Sequence, residues 1–168
     1  ASARGLVKQT SSTFGILLPS LTSSFMAALL NGVVNAARER NYSAIICHTG
    51  DDGKGTLNYL NILSEQRVSG VIIASEFVKD EYIERVSAMN IPVVLVSTIC
   101  EHKLIPYIKV NDKAAAAHAT KYLIERGHRK LGMISGTKGD PIAGALRVEG
   151  FRQALKDAGI PFEEKQVV

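Results

Sequence analysis

The sequence contains no tryptophan and few other aromatic residues, with only five tyrosines and five phenylalanines among 168 residues. Aromatic rings provide flat, rigid, apolar surfaces for ligand contacts. Any binding pocket in this chain therefore has few such surfaces, and Phe25, Phe77 and Phe151 are the rings to follow.

Cysteine is even scarcer. Cys47 lies in an apolar run and Cys100 lies much further along the chain, a spacing that fits neither a metal site nor a disulfide framework. The histidines also lack metal-ligand spacing. The sequence thus indicates no metal or other cofactor, and a reducing cytoplasm is the simplest compartment. The four histidines are His48, His102, His118 and His128.

Long apolar runs are missing too. None approaches the roughly 20 residues that span a bilayer, and the chain does not start with the charged-then-apolar pattern of a signal peptide. A mature exported protein would have lost that peptide, so export stays open. With 46% apolar and 21% charged residues the composition is that of an ordinary globular domain. The net charge of +4 comes from basic residues scattered beside acids, which is typical of solvated faces.

Short apolar stretches alternate with longer amphipathic stretches along most of the chain. The apolar stretches predict β-strands, and the intervening segments carry apolar residues at helical spacing, as do Phe25, Leu29 and Val33. Such alternation is typical of parallel strands joined by right-handed crossovers, with both faces covered. We therefore predict a doubly wound parallel α/β sheet. The expected strands are 13–18, 43–47, 70–74, 92–96, 107–110 and 130–134, and the expected helices are 24–40, 56–66, 81–89, 112–126 and one within 142–158.

Open parallel sheets bind ligands in the crevice beyond the carboxyl ends of their strands. That edge collects Ser20 after the first strand, Asp51 after the second and Asn111 after the fifth. Hydroxyls, carboxylates and an amide there suit a small polar or polyhydroxylated ligand. Solvent exposure is the alternative, because strand ends are polar in most proteins of this class. The same edge includes Ser75, Glu76, Ser97 and Thr98.

Two further side chains are candidates for ligand contact, each with a structural alternative. Phe25 either faces the crevice or packs in the core with Leu29. Arg147, among apolar neighbours at the start of a helix, can offer a forked donor to hydroxyls or carboxylates. The alternative for Arg147 is a surface salt bridge to Glu149 or Asp140. Ser23 and Ser24 also serve as candidate N-caps for the first helix.

Enzymatic motifs are absent from the sequence. No nucleophile elbow occurs, and the glycine-rich segment 132–139 lacks both the Lys-Ser/Thr pair of a phosphate loop and the spacing of a dinucleotide fingerprint. The segment 50–55 is acidic and does not follow the calcium-loop pattern. The sequence therefore offers no motif that supports an enzymatic function.

Several short motifs, taken in order, resemble the LacI/GalR family of transcription regulators. Gly127-His128-Arg129 joins a helix end to a strand, and Arg147-Val-Glu-Gly150-Phe151 opens the last helix. At the start of the chain, Ala3, Arg4 and Leu6 match the family's Ala-Arg-x-Leu hinge. In that family the hinge leucine wedges into the DNA minor groove, a known way to kink DNA. The family resemblance extends over essentially the whole chain.

The resemblance also implies roles for individual residues. Arg147 is the expected effector-binding arginine, and Asn111 matches the asparagine of the family's Asp-Asn pair, although Val110 replaces the aspartate. Phe25 matches the family's aromatic near the first helix. Ser20 stands where the family often has aspartate. The set of expected effector contacts is Arg147, Phe25, Ser20, Asn111 and Asp51, with Arg4 and Leu6 expected at the DNA hinge.

The domain organisation implied by the resemblance is that of a periplasmic-binding-protein-like sensor. Residues 1–10 are the expected hinge, 11–126 the N-terminal lobe, and 127–168 the beginning of a C-terminal lobe, with a DNA-reading head before Ala1 and the rest of the sensor after Val168. An incomplete sheet has an open edge, so we expect these 168 residues alone to be unstable or to aggregate.

The function implied is ligand-controlled repression by a cytoplasmic homodimer, with a sugar or sugar phosphate as effector and no membrane partner. The helix faces near 25–40 and 56–66 are the expected dimer interface. The main alternative is a periplasmic sugar-binding protein of a transport system, which shares the fold. A third is a small α/β enzyme with an unrecognised site.

Overall fold

The computed structural model describes residues 11–50, 53–100, 102, 105–136 and 140–168. The chain divides into two compact units, the first ending at Ile108 and the second spanning Lys109–Val168. We name them the sheet unit and the helical unit. Arg4, Leu6 and Asp51 lie outside the described residues.

The sheet unit is a five-stranded parallel sheet with strand order β2-β1-β3-β4-β5. Its helices follow the strands in strict alternation up to β4. This order and connectivity confirm the predicted doubly wound α/β fold, because β2 lies on one side of β1 and the later strands on the other. The elements are β1 (Thr13–Leu18), α1 (Ser24–Glu39), β2 (Ser43–His48), α2 (Thr56–Glu65), β3 (Val71–Ala74), α3 (Asp80–Met89), β4 (Val93–Val96) and β5 (Tyr107–Ile108).

The two faces of the sheet carry separate apolar clusters, as the alternation of side chains along a strand requires. Leu17 of β1 belongs to the cluster that also contains Leu60 and Leu63 of α2. Ile16 and its neighbours on the other face pack with Met26 of α1. Both faces are therefore covered by helices, which explains why the strands are continuously apolar.

Gly15 in the middle of β1 allows a close contact on the α2 face. A Cβ atom at this position would lie 2.3 Å from Cδ1 of Leu63, so the glycine leaves the space that the leucine fills. The helix α1 begins as predicted, with Ser23 as its N-cap accepting a hydrogen bond from the amide of Met26 at 3.4 Å. Of the two candidate serines, Ser23 is thus the cap.

The helical unit contains α4 (Asp112–Glu125), α5 (Gly144–Asp157) and a short 3-10 helix, Glu164–Gln166. Gly127 has a φ of 91° just beyond the C-cap Arg126, as expected of a helix-terminating glycine. The core of this unit contains Phe151, Leu155 and Val167. Because α4 packs on α5 here, the unit boundary falls before α4, and the lobe boundary after residue 126 stays a prediction.

One predicted strand is wrong in extent. Residues 130–134 form only an isolated parallel bridge, Met133 with Val167, although the amide of Met133 donates to Gln166 O at 2.7 Å. In the described residues the backbone bonds of this segment reach only Gln166 and Val168, so it is shorter than the predicted strand. The predicted strand at 107–110 is also shorter and ends at Ile108. Among the described helices, none has the length and apolar character that crossing a bilayer requires.

Candidate functional site

The strand order places a topological switch point between β1 and β3, where the chain leaves neighbouring strands in opposite directions. The register aligns Leu17 of β1 with Ile73 of β3, so the loops that follow these strands start side by side. Open parallel sheets bind ligands at such a point. The loops after β1 and β3 are therefore the candidate ligand-binding edge of the sheet unit.

Ser20 lies in the loop after β1, as predicted, but its hydroxyl already has partners. Its Oγ is 3.0 Å from Oγ1 of Thr22 and accepts a hydrogen bond from the Thr22 amide at 3.3 Å. These bonds shape the loop locally. A hydroxyl can donate as well as accept, so Ser20 keeps some capacity for a further partner.

Phe25 lies in the first turn of α1 with 53% of its surface exposed, so it is not a core residue. The core alternative weighed for this side chain is therefore wrong. Phe77, in the loop after β3, is also exposed. Two aromatic side chains thus follow the two strands of the switch point, and both are open to contact with a ligand or partner.

Glu76, also after β3, is the buried polar centre of this edge. The hydroxyls of Thr49 and Thr56 donate to its two carboxylate oxygens, the first at 3.2 Å. The hydroxyl of Thr98 donates to the Glu76 carbonyl oxygen at 2.8 Å. Thr49 follows β2 and Thr98 follows β4, so this network ties together the carboxyl ends of three strands.

The turn before α2 is built around the same carboxylate. Gly53 has a φ of 66°, and a Cβ there would lie 2.6 Å from Oε1 of Glu76. The hydroxyl of Tyr82 donates to the Gly53 carbonyl oxygen at 3.0 Å. Burial raises the pKa of the Glu76 carboxyl, and hydrogen bonds from Thr56, Thr49 and Tyr82 only partly offset that rise. The sequence predicted that Glu76 lies at this edge, but it did not predict that Glu76 links the ends of neighbouring strands by hydrogen bonds.

The backbone turns sharply at two of the strand ends. Ser75 and Ser97 have φ values of 52° and 56°, in the left-handed region that costs a non-glycine residue about 1–3 kcal/mol. Each amide keeps its place in the ladder, since Ser75 N donates to Val96 O and Ser97 N to Ile108 O, both at 2.8 Å. Serine carries no sequence signal for this conformation, so sequence reasoning missed it.

In the helical unit, the strongest predicted site residue is held by a partner that the sequence did not suggest. Nε of Arg147 on α5 donates to Oδ1 of Asp112 on α4 at 2.8 Å. The expected alternative partners are engaged elsewhere. Glu149 pairs with Lys113, and Asp140 accepts hydrogen bonds from the amides at the start of α5. The predicted alternative of a salt bridge to Glu149 or Asp140 is therefore wrong.

Asp112 is shared between two cations. Its second carboxylate oxygen pairs with Nζ of Lys109, and the side chains of both residues are only 7% exposed, whereas that of Arg147 is 50% exposed. Burial raises the pKa of the Asp112 carboxyl, but the hydrogen bonds and charges of Lys109 and Arg147 lower it by more, so the net pKa is depressed. Asp112 is thus a carboxylate at neutral pH.

A glycine makes the contact between α4 and α5 possible. A Cβ on Gly150 would lie 2.1 Å from the backbone oxygen of Lys113, the residue after Asp112. Gly150 follows Arg147 by three positions, which places the two on the same side of α5. The close helix contact at Gly150 therefore brings Asp112 within hydrogen-bonding distance of Arg147. The motif that suggested the family contains this glycine, but only the contact reveals its role.

Asn111 has a structural task in addition to its predicted one. It is the N-cap of α4, and its side-chain oxygen accepts a hydrogen bond from the Ala114 amide at 3.0 Å. That bond leaves the side-chain NH₂ group available for a ligand. Asn111 and Arg147 belong to the helical unit, whereas Phe25 and Ser20 belong to the sheet unit.

In the described part of the chain, no group of three or more histidine, cysteine, aspartate or glutamate side chains is placed to hold a metal ion. Cys47 is buried, and burial raises the pKa of its thiol, which keeps it in the unreactive protonated form.

The sheet unit, with its switch point and polar strand-exit edge, belongs to the class of doubly wound α/β folds that bind ligands at that edge. Residues 11–168 match the model of one family, described as periplasmic binding proteins and sugar binding domain of LacI family. The chain belongs to this family.

The relatives of this chain include named transcription regulators. It is 31% identical over 168 residues to catabolite control protein A of Priestia megaterium, covering 100% of this chain and 51% of the relative. It is also 31% identical over 169 residues to the transcriptional repressor PurR of Vibrio atlanticus, covering 100% of this chain and 50% of the relative. The chain therefore spans about half the length of these curated relatives.

A solved structure supports the same fold. The periplasmic binding protein/LacI transcriptional regulator from Alkaliphilus metalliredigens, complexed with D-xylulofuranose, superposes with a TM-score of 0.80 at 25% identity. The match covers 94% of this chain and 56% of that one.

Proposed function

We propose that this chain is the effector-binding part of a cytoplasmic, ligand-responsive transcription regulator that acts as a repressor. The effector is a sugar or a sugar phosphate. The protein reads operator DNA through a head outside these residues, and residues 1–10 are the hinge to that head. It catalyses no reaction. Residues 11–126 and 127–168 belong to the two lobes of the sensor.

The observation that carries this proposal is the placement of Arg147. Its side chain is half exposed, and its guanidinium is held by the buried carboxylate of Asp112, so a strong forked donor has a defined orientation. The chain belongs to a family described by its sugar-binding domain. A fixed, partly exposed arginine in such a fold suits the recognition of ligand hydroxyls or an anionic group.

Control of DNA binding follows from a difference in effector affinity between two states of the regulator. An effector that binds one state more tightly raises the population of that state, and operator affinity follows the population. Arg147, as an effector contact, supplies part of that difference. Phe25, Ser20, Asn111 and Asp51 are the further proposed contacts, and Arg4 and Leu6 the proposed DNA contacts.

Homodimer formation is part of the proposal, because a two-fold dimer matches a palindromic operator. Val34 on α1 and Ile62 on α2 are exposed apolar residues on the two helices that the sequence suggested as the interface. Exposed apolar side chains on surface helices favour burial against a second copy. Sedimentation analysis of the full-length protein tests this, and a monomer at every concentration would contradict it.

The decisive experiment measures operator binding by the full-length protein, on a palindromic probe from upstream of its own gene, with and without a panel of sugars and sugar phosphates. We expect one compound to alter DNA affinity. Arg147→Ala should weaken the response to that compound by about tenfold to a hundredfold, because it removes charge-assisted hydrogen bonds.

The matched control is Arg152→Ala, since Arg152 lies on the same helix, is similarly exposed and pairs with Glu164. This variant should respond like the wild type. Failure to bind DNA at low salt, where phosphate contacts are strongest, with sugar affinity retained would instead indicate a transport receptor. Turnover of any compound in the panel would indicate an enzyme.

A further inference from the structure

The charges around Asp112 do not balance. Two cations, Lys109 and Arg147, share one carboxylate, so the cluster has a net charge of one positive unit. Lys109 is almost fully buried with Asp112, whereas half of the Arg147 side chain is exposed. The unbalanced positive charge is therefore presented to solvent by the guanidinium of Arg147.

The guanidinium has unused donors. Its Nε bonds to Asp112, and among the described residues no acceptor engages its two terminal nitrogens. The nearest acids in sequence are engaged elsewhere. Asp140 accepts from the amides of Ile142, Ala143 and Gly144, and Glu149 pairs with Lys113. The two terminal nitrogens form the planar fork that binds two oxygens of a phosphate or carboxylate.

The buried carboxylate also limits how the guanidinium moves. A free arginine side chain loses rotamer entropy when a ligand immobilises it, and this cost lowers affinity. In this chain Asp112, itself held by Lys109, has already fixed the Nε end. Part of the ordering has therefore taken place before any ligand binds.

We propose that Lys109, Asp112 and Arg147 form an anion subsite of the effector site, in which Asp112 positions the Arg147 guanidinium to bind a phosphate or carboxylate group of the effector. This inference rests on the proposed function and narrows its effector class from sugars in general to acidic sugar derivatives. Arg147 contacts the anion, and Asp112 acts through Arg147.

The proposal contradicts simple charge counting, which makes it testable. Asp112→Asn removes a negative charge, so electrostatic attraction alone predicts that anions bind more tightly to the variant. If Asp112 positions Arg147, the same variant binds anions more weakly, because the guanidinium is no longer held. Arg147→Lys provides the converse test, since it keeps the charge but lacks the fork and the Nε donor.

The experiment is a titration of the full-length protein with inorganic phosphate, followed by calorimetry or by NMR. The wild type should bind it, and Asp112→Asn, Arg147→Lys and Arg147→Ala should each weaken binding by about tenfold. The double variant that combines Asp112→Asn with Arg147→Ala should lose no more phosphate affinity than Arg147→Ala alone, because Asp112 acts only through Arg147. Arg152→Ala should bind as the wild type does.

A second titration distinguishes the two anionic groups with D-glucose 6-phosphate, D-gluconate and D-glucose, which share one carbon skeleton. The proposal is supported if the protein binds one or both acids more tightly than D-glucose and if Asp112→Asn removes this preference. The preferred acid then shows whether the subsite binds phosphate or carboxylate. Preference for D-glucose over both acids overturns it.

Three other results would also overturn the proposal. They are no phosphate binding by the wild type, tighter phosphate binding by Asp112→Asn, and additive losses in the double variant. If Asp112→Asn does not fold, Arg147→Lys is compared with Arg147→Ala. Arg147→Lys keeps the positive charge but lacks the fork, so phosphate binding by Arg147→Lys as tight as that of the wild type would contradict the proposal. None of these measurements uses DNA, so their outcome is separate from that of the operator assay.

Discussion

Among the described residues, each unit has one buried carboxyl group, and the two groups have opposite pKa shifts. In the sheet unit, Glu76 is surrounded by hydroxyl donors and burial raises its pKa. In the helical unit, Asp112 is equally buried, but the cations Lys109 and Arg147 lower its pKa overall. Desolvation acts in the same direction on both side chains, so the type of partner decides the sign.

The two carboxyls differ in their surroundings and in the role that we expect of them: Glu76 joins strand ends, whereas Asp112 belongs to the proposed anion subsite. Neutral hydroxyls of Thr49 and Thr56 satisfy the Glu76 carboxylate oxygens, and with Thr98 they join three strand ends. Asp112 stays ionised and holds a half-exposed arginine. We therefore expect changes at Glu76 to affect the stability of the sheet unit, and changes at Asp112 to affect both stability and ligand affinity.

The largest expected effect is at the glycine that makes the Asp112–Arg147 pair possible. Gly150→Ala places a Cβ against the backbone of α4, which cannot move as a side chain would. Overpacking of this kind costs about 1–3 kcal/mol, and we expect the upper part of that range. Hydrogen exchange of α4 and α5, followed by mass spectrometry, should show the loss in the helical unit while the sheet unit keeps its protection.

A matched glycine provides the control. Gly32 lies inside α1, and a Cβ there meets nothing within 4 Å. Gly32→Ala should therefore stabilise the sheet unit by about 0.5–1 kcal/mol, because alanine is the better helix former. Equal protection of α4 and α5 in wild type and Gly150→Ala would contradict the close helix contact.

The next effect is that of Asp112→Asn, which leaves the buried ammonium of Lys109 without its carboxylate. We expect a loss of about 1–3 kcal/mol in the helical unit at neutral pH. Because the folded pKa of Asp112 is depressed, its contribution is present above the ordinary pKa and is lost as pH falls through the folded pKa. Stability measured between neutral and strongly acidic pH should thus fall in the wild type and change less in the variant.

Glu76→Gln should have a smaller effect with the opposite pH dependence. The folded pKa of Glu76 is raised, so its favourable contribution is complete below the ordinary pKa and is lost as pH rises through the folded pKa. Glutamine is neutral at every pH, and its side-chain oxygen and NH₂ group can hydrogen-bond the two threonine hydroxyls, so we expect a change within about 1 kcal/mol at neutral pH. A loss of stability at neutral pH as large as that of Asp112→Asn would contradict the comparison.

The smallest effect on folding is expected for a substitution in β5, the strand at the edge of the sheet. Ile108 is 68% exposed on a two-residue edge strand. We predict that the 168-residue chain self-associates through this edge and that Ile108→Lys reduces the association, since charged residues protect sheet edges. Light scattering over a concentration series measures it, and unchanged association in the variant would place the contact elsewhere.

The elements of the sheet unit were predictable because their signals are local. Apolar runs marked β1 and β3, and Ser23 at an N-cap position marked the start of α1. The strand expected at 130–134 failed for the converse reason. Its apolar residues favour a strand, but a ladder also needs a partner, and only Val167 forms a bridge to it.

The candidate site was predictable in part. Arg147 and the strand-exit loops followed from sequence, whereas the partner of Arg147 lies 35 positions away in the chain and depends on the approach of two helices. The roles of Glu76 and Gly53 could not be predicted either, because the burial of Glu76 and the close contact of Gly53 depend on residues that are distant in the sequence.

The sequence alone determined the order of strands and helices in the sheet unit, the parallel α/β class and the family, because hydrophobic periodicity and short motifs are properties of consecutive residues. Only the tertiary structure decided which side chains meet. The bond from Arg147 to Asp112 requires the bare backbone of Gly150 against Lys113, and the burial of Glu76 requires three strand ends to converge. Burial and partner identity set the direction of the pKa shift of both carboxyls, and they depend on contacts between residues distant in the chain.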